Sequence, residues 1–451
     1  MAERANFKNT LGVILATAGS AVGLGNVWRF PYITGQNGGA SFILVYILCV
    51  LALGIPCMVA EFIIGRHSAS NTARAYAKMG NRWWMLVGAL SVLTGFLITC
   101  YYCIVSGWCL YYMVVSGIGD LNGDANYFVQ YFSDFATNPW KPVVWGILFM
   151  TITHMVIIKG VRGGIEKASK VLMPALFLLL LVIAIASMTL PNAWNGVEFL
   201  LKPDFSKISG SVVLSALGQA FYSMSIGMGC ICTYASYFSR KTNLVKSALQ
   251  ISVIDCFVAI LAGLIIFPAA FSVGVQPDSG PSLIFITLPN VFQRAFGSVP
   301  LITTIVSFAF YALMSLAALT SLISLHEVCT AFLQEELKIT RKRGALLVSV
   351  LCGGIGVLCS LSLGGVDWLT FGGKALFDVF DFVTGQIFLP IVGFFASIFI
   401  GWYVPKKVVY DEFTNWGTLN NQTLCKAFIF LLRYVCPVAI FCIFLESMDI
   451  I

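Results

Sequence analysis

The chain has 451 residues, 59% of them apolar and only 10% charged, with a net charge of +7. Soluble proteins carry roughly 25% charged residues, so this composition excludes a soluble domain of any size and predicts an all-α polytopic membrane protein. The positive balance is scattered over short loops, which gives no support to a nucleic-acid partner.

Apolar runs near the ~20 residues that cross a bilayer fall at about 9–34, 39–64, 84–116, 142–158, 166–190, 210–238, 244–273, 298–334, 344–363, 374–403 and 426–446, giving eleven predicted spans. The first run holds Asn26 and Arg29 and leads straight into the second, unlike a cleaved signal peptide. Alternate loops carry the basic residues. Arg4 and Lys8, then the loops around Arg66, Arg162, Arg240, Arg341 and Lys406, lie on one side with 20 of the 27, against five on the other. Positive charge marks the cytoplasmic face, so the amino terminus is expected inside and the carboxyl terminus outside.

Span one contains GSAVGLGNVWRFPY (19–32). Close helix packing accounts for Gly19 and Gly23 but not for Asn26 and Arg29 beside them. Unpaired backbone groups are costly in hydrocarbon, so an interruption is tolerated only where it is buried in protein or lines a polar cavity. Span two holds Glu61. Span three holds Tyr101, Tyr102 and a CxxC of Cys100 and Cys103 that reads as small apolar packing. Span five has Gly164 and Pro174 flanking nine residues, GIEKASKVLMP, where the proline either kinks the helix or marks a segment able to unwind. Span six repeats the oddity of span one with GQAFYSMSIGMG (218–229). Span seven carries Asp255, an expensive residue in lipid that by default marks a pathway or a partner. In span eight Thr320 and Ser321 fit either a ligand role or bonding back to carbonyls of their own helix. The histidines, His67, His154 and His326, have no neighbours at metal-ligand spacing, and no nucleophile–base pair appears, so an enzyme is not expected.

The two interrupted spans are the first of spans one to five and the first of six to ten. Glycine-broken segments at matching positions in two halves point to inverted repeats with a binding site between them. The expected architecture is a single transmembrane domain over 1–451, with repeats of about 9–190 and 210–403, helices one and six discontinuous, and an extra helix at about 426–446.

GSAVGLGNVWRFPY resembles the first-span signature of the neurotransmitter:sodium symporters. GQAFYSMSIGMG with TYASY (233–237), YYCIVSGW (101–108), LTS (319–321) and FDFVTG (380–385) resemble further motifs of that family in the right order. The resemblance runs from about Arg4 to Trp402 and is nearest the bacterial amino-acid transporter branch. It implies a sodium-coupled symporter of hydrophobic L-amino acids, aromatic and large aliphatic, working by alternating access in a bacterial inner membrane as a monomer or homodimer. An amino-acid-binding receptor that does not complete transport is the alternative.

The same resemblance assigns residues. Substrate carboxylate falls to Leu24, Gly25 and Tyr102, and its ammonium group to carbonyls near Ala21, Tyr222 and Ser225. Ile98, Met228, Ser223, Ser321 and Leu325 complete the pocket. A first sodium takes Ala21, Asn26, Ser223 and Asp255. A second takes Gly19, Val22, Ala317, Thr320 and Ser321. Arg29 and Asp381 would close the outside over Tyr102 and Tyr222; Arg4 and Glu335, supported by Tyr237, would close the inside. Glu61 and Gln219 would satisfy orphan amides of the broken helices. Chloride-dependent members have Asn where this chain has Asp255 and Ser where it has Ala259, which implies transport without chloride. Monoamine carriers have Asp at the place of Gly23, which implies a substrate that brings its own carboxylate.

Overall fold

A computed structural model of the chain describes residues 7–274, 283–364 and 366–448. Span one begins at Asn9, whose side chain accepts the Gly12 amide at 2.9 Å and satisfies one of the orphan donors of a helix start. The helix runs Thr10–Ala21 and stops at Val22, whose ψ of 105° leaves the helical region. It resumes as a wide π turn, Gly25–Arg29, and a short helix, Phe30–Gln36, the two halves bent by 55°. Pro31 falls within the first turn of that short helix, where its missing N–H costs nothing.

Span six divides into Gly210–Ser223, capped by the Ser209 hydroxyl, and Cys230–Ala235. Ser225, Gly227 and Gly229 between them have φ of +54°, +89° and +78°. Left-handed backbone is cheap for glycine and costs other residues about 1–2 kcal/mol, so Ser225 is held there by its surroundings.

Eight helices are long and apolar enough to cross a membrane unaided: Ala40–Ser68, Met85–Gly117, Val161–Met188, Leu244–Ser272, Pro300–Glu336, Arg341–Leu363, Leu376–Tyr403 and Gln422–Ser447. They match predicted spans two, three, five and seven to eleven within a few residues. Span one qualifies as a bent pair. Span four, Lys141–Ile157, has 17 residues and follows the helix Ala125–Ala136 at 70°. Span six is in pieces too short to qualify. The eleven read from hydropathy are therefore not counted by helix length alone. The short hairpin of Thr370–Phe371 and Lys374–Ala375 is the sheet structure among the described residues.

Polarity is distributed as lipid demands. Span five exposes Val171, Leu178, Val182 and Ile185, and span seven exposes Leu249, Val253 and Phe257, one apolar face each at helical spacing. The buried polar residues Asn26, Glu61, Gln219 and Asp255 all lie between helices, where intramembrane charge and amides find partners. Spans three and eight pack along each other, and span one packs against five, seven and eight. The two breaks thereby face one another in the middle of the bundle.

Near the carboxyl end of span two, Arg66 is buried. It reaches Glu412 (2.7 Å), the Thr242 carbonyl (2.6 Å) and Asn415 (3.2 Å), tying the helix Lys406–Phe413 to the bundle. Breaking one partner of a pair this buried costs about 3–5 kcal/mol.

Candidate functional site

The two breaks enclose a cavity of ≈ 50 Å³. All eleven residues assigned to the substrate line it: Ala21, Leu24 and Gly25 from span one, Ile98 and Tyr102 from span three, Tyr222, Ser223, Ser225 and Met228 from span six, and Ser321 and Leu325 from span eight. Ser20, Gly23 and Cys230 complete the wall. Ser20 and Cys230 were not singled out from the sequence, although a hydroxyl beside an interrupted helix is a usable signal.

Polar groups converge on this space. The Leu24 amide donates to the Tyr102 hydroxyl at 3.4 Å, so backbone donor and phenol point at one spot. Ser225 donates to the Ser20 carbonyl at 3.0 Å and stitches the two breaks together. Gly227 N–H is taken by Glu61 at 2.7 Å. Gln219 is wholly buried, and neither end of its amide has a hydrogen-bond partner among the described residues. Of the pair expected to satisfy orphan amides, only Glu61 makes such a bond here. Glycine at 23 is a matter of space: a Cβ there would lie 2.6 Å from Ser321 Oγ and 3.3 Å from Tyr102 Oη.

Beside the cavity, Asn26, Ser223 and Asp255 form one hydrogen-bonded cluster. Asn26 Nδ2 donates to Asp255 Oδ1 at 2.8 Å and Ser223 Oγ donates to Asp255 Oδ2 at 2.6 Å. Asn26 Oδ1 accepts the Gly23 amide at 3.1 Å. Tyr46 of span two donates to Asp255 Oδ2 at 3.2 Å. Nothing in the apolar run around Tyr46 marks it in the sequence. The cluster is built around one carboxyl group, enclosed completely, with donors on both of its oxygens.

On the opposite side of span one the groups are neutral. Ser321 Oγ donates to the Val22 carbonyl at 3.3 Å and Thr320 Oγ1 to the Ala317 carbonyl at 2.9 Å. Thr320 thus bonds back within its own helix, while Ser321 crosses to span one. A Cβ on Gly19 would come 3.2 Å from Thr320 Cβ, which places Gly19 in the same group. Carbonyl and hydroxyl oxygens of this kind are hard donors that suit alkali and alkaline-earth cations rather than soft metals.

A second cavity of ≈ 380 Å³ is lined by Arg29, Gln36, Asn37, Gln386 and Glu446 among others, and it shares Tyr222 with the first one. The Arg29 guanidinium sits 4.3 Å from the centre of the Tyr222 ring, a cation–π contact. Arg29 makes no ion pair among the described residues. Asp381 instead accepts the Tyr101 hydroxyl at 3.0 Å, so Tyr101 touches the expected outer gate. The two gate residues stand on the same side but apart.

Of the expected inner gate, Arg4 lies outside the described residues. Glu335 accepts the Asn71 amide at 2.8 Å. Tyr237 donates to Glu327 at 2.7 Å, and Arg341 pairs with Glu327 at 2.5 Å. Phe7 packs on Tyr234, Tyr237 and Phe238 at 6.0–6.3 Å between ring centres. Phe7, Glu327 and Arg341 were not picked out from the sequence.

The profile of the sodium:neurotransmitter symporter family matches residues 4–126 and 125–450. An uncharacterized sodium-dependent transporter of Bacillus subtilis, YhdH, is 37% identical over 98% of this chain and 97% of its own length. The human sodium- and chloride-dependent GABA transporter 2 is 26% identical over 96% of this chain and 79% of its own. The crystal structure of MhsT in complex with L-phenylalanine superposes with a TM-score of 0.88 at 38% identity, over 99% of this chain and 100% of that one.

Proposed function

Because this chain belongs to the sodium:neurotransmitter symporter family, we propose that it moves a hydrophobic L-amino acid together with two sodium ions by alternating access, without chloride. It is a multi-pass membrane transporter and not an enzyme. The observation that carries the reading is the convergence of all eleven assigned residues on one cavity between two broken helices, next to the buried carboxyl group of Asp255.

The substrate carboxylate goes to the Leu24 and Gly25 amides and the Tyr102 hydroxyl, where free N–H groups and the positive end of a helix favour an anion. Its ammonium group meets the carbonyls near Ala21, Tyr222 and Ser225. Ile98, Met228 and Leu325 supply the apolar wall, and methionine adapts to aromatic or branched side chains. The bound phenylalanine of MhsT is in keeping with this class.

The first sodium takes the Ala21 carbonyl, Asn26, Ser223, Asp255 and the substrate carboxylate. For Asn26 this means turning its amide so that Oδ1, now on Gly23 N–H, faces the ion. Each ligand then builds part of the other's site, so their affinities rise together. The fixed charge of Asp255 does what chloride does elsewhere. The second sodium takes the carbonyls of Gly19, Val22 and Ala317 and the hydroxyls of Thr320 and Ser321, replacing the hydrogen bonds that link those oxygens in this structure.

Two ions carry enough work. At ~100 mV each charge gains about 2.3 kcal/mol, and a tenfold gradient adds roughly 1.4. Together two ions supply on the order of 7 kcal/mol, about five decades of accumulation for a neutral zwitterion. The orientation follows the basic loops, with the amino terminus in the cytoplasm of a bacterial cell.

Uptake of labelled L-phenylalanine into proteoliposomes tests the reading. Accumulation driven by an inward sodium gradient, unchanged when gluconate replaces chloride, is the expected result. Binding with no accumulation would favour a receptor, and collapse in gluconate would overturn the role given to Asp255.

A further inference from the structure

The residues GNRWWMLV (80–87) lead into span three, and no step above uses them. Asn81 Oδ1 accepts the backbone N–H of Trp83 at 2.9 Å and of Trp84 at 3.3 Å, holding the turn that enters the helix. The two tryptophans then part. Trp84 lies on the closing turns of span ten, its ring centre 4.7 Å from Phe399, 5.2 Å from Tyr403 and 6.5 Å from Phe395. Gly80 makes room for that wedge, because a Cβ there would lie 2.8 Å from both Trp84 and Phe399. Trp83 stays 67% exposed. Between the two spans runs a groove of ≈ 390 Å³, walled by Trp83, Trp84, Leu86 and Leu90 on one side and Ile391 and Phe395 on the other.

The walls are apolar, and Leu86 is 64% exposed in a segment that crosses the membrane. Hydrocarbon therefore covers them. The rim is different. Span three starts at Met85 and span ten ends at Tyr403, so the contact of Trp84 with Tyr403 sets both ends at one level, where tryptophan and tyrosine mark the headgroup region. The Arg82 guanidinium sits 5.5 Å from the centre of the Trp83 ring. Lys406 and Lys407, both exposed, follow three and four residues after Tyr403. Neither Asp nor Glu occurs anywhere in 62–119 or 382–410. Arg82, Lys406 and Lys407 make no ion pair among the described residues.

We propose that this groove binds an anionic phospholipid, with its acyl chains along the aromatic and aliphatic walls and its phosphate among Arg82, Lys406 and Lys407. Basic side chains at the membrane surface each favour a negative headgroup. A zwitterionic lipid fills the same walls but brings a cation of its own, which those three charges repel. Spans three and ten also meet through Tyr101 and Asp381, near the opposite end of span ten. The lipid braces the same two helices at their other end.

Native mass spectrometry of the full-length protein tests the site, with phosphatidylglycerol and phosphatidylcholine of equal chain length added in turn. Wild type should hold phosphatidylglycerol about tenfold more tightly. Combining Arg82→Gln, Lys406→Gln and Lys407→Gln should cut that preference to about twofold or less and leave phosphatidylcholine where it was. Combining Lys338→Gln, Lys342→Gln and Arg343→Gln, in the basic loop between spans eight and nine, should leave the preference intact. Equal losses in the two triple variants would reduce the effect to diffuse surface charge and overturn the site. Leu90→Trp, which fills the groove, should weaken both lipids; unchanged retention of both would show that the chains lie elsewhere. Glycerol phosphate, a headgroup without chains, should not displace the lipid, and displacement by it would remove the groove from the binding. Lipid retention is read without substrate or gradient, so it stands or falls apart from transport.

Discussion

Spans one and six are both broken at mid-membrane, and they break by different means. In span one, Val22 turns extended, Leu24 is helical at φ −58°, and the chain re-forms as a wide turn. Its glycines serve close approach: Gly19 to Thr320, Gly23 to Ser321, Gly25 to Tyr222. In span six, Gly227 and Gly229 serve conformation, at φ +89° and +78°. Span one is consequently shaped by what it touches, through Asn26 on Asp255 and Ser321 on Val22. Span six is shaped by its own backbone, with Glu61 holding the Gly227 amide.

Substitutions separate the two cases. The largest effect is expected from Asp255→Ala, which removes the carboxyl group that Asn26, Ser223 and Tyr46 all donate to; losing buried hydrogen bonds of this kind costs about 1–3 kcal/mol each. Sodium titration of uptake should show at least ~100-fold weaker affinity, and an unchanged titration would remove Asp255 from the site. Next comes Gly227→Ala, where strained backbone of about 1–3 kcal/mol adds to a Cβ only 2.9 Å from the Leu389 carbonyl. It should lower thermal stability in detergent whether or not sodium is present. Gly23→Ala should do the reverse. Its backbone is free of strain, so melting stays near wild type, but Ser321 Oγ must rotate off Val22, and substrate and sodium affinity fall about tenfold. Equal melting losses for Gly23→Ala and Gly227→Ala would erase the distinction between the breaks. The smallest effect belongs to Tyr101→Phe, which takes from the exposed Asp381 one neutral donor worth about 0.5–1 kcal/mol. KM should rise roughly two- to fivefold with kcat unchanged.

Much of the fold was legible because lipid enforces a simple rule. Runs of apolar residues gave eight helices within a few residues of their ends, and Asn26, Arg29 and Asp255 stood out because hydrocarbon tolerates such groups only for a reason. The break in span one was legible for the same cause. Span four was less so, since its 17 residues are short for a crossing. Tyr46 and Tyr101 were not legible as partners. They meet their contacts across 209 and 280 residues of chain, and no periodicity encodes which buried hydroxyl or carboxylate will find which. Arg29 illustrates the opposite limit. The motif placed it at the outer gate, yet its guanidinium rests on Tyr222 rather than on Asp381, a choice of rotamer that sequence does not carry.

The central claim is that one zwitterion and one cation share ligands between the two broken helices. Equilibrium binding of L-phenylalanine to the purified protein across a series of sodium concentrations, with sodium affinity measured in turn across a series of phenylalanine concentrations, addresses it directly. The account predicts that each ligand tightens the other by the same factor. Amino-acid binding that is indifferent to sodium would contradict it.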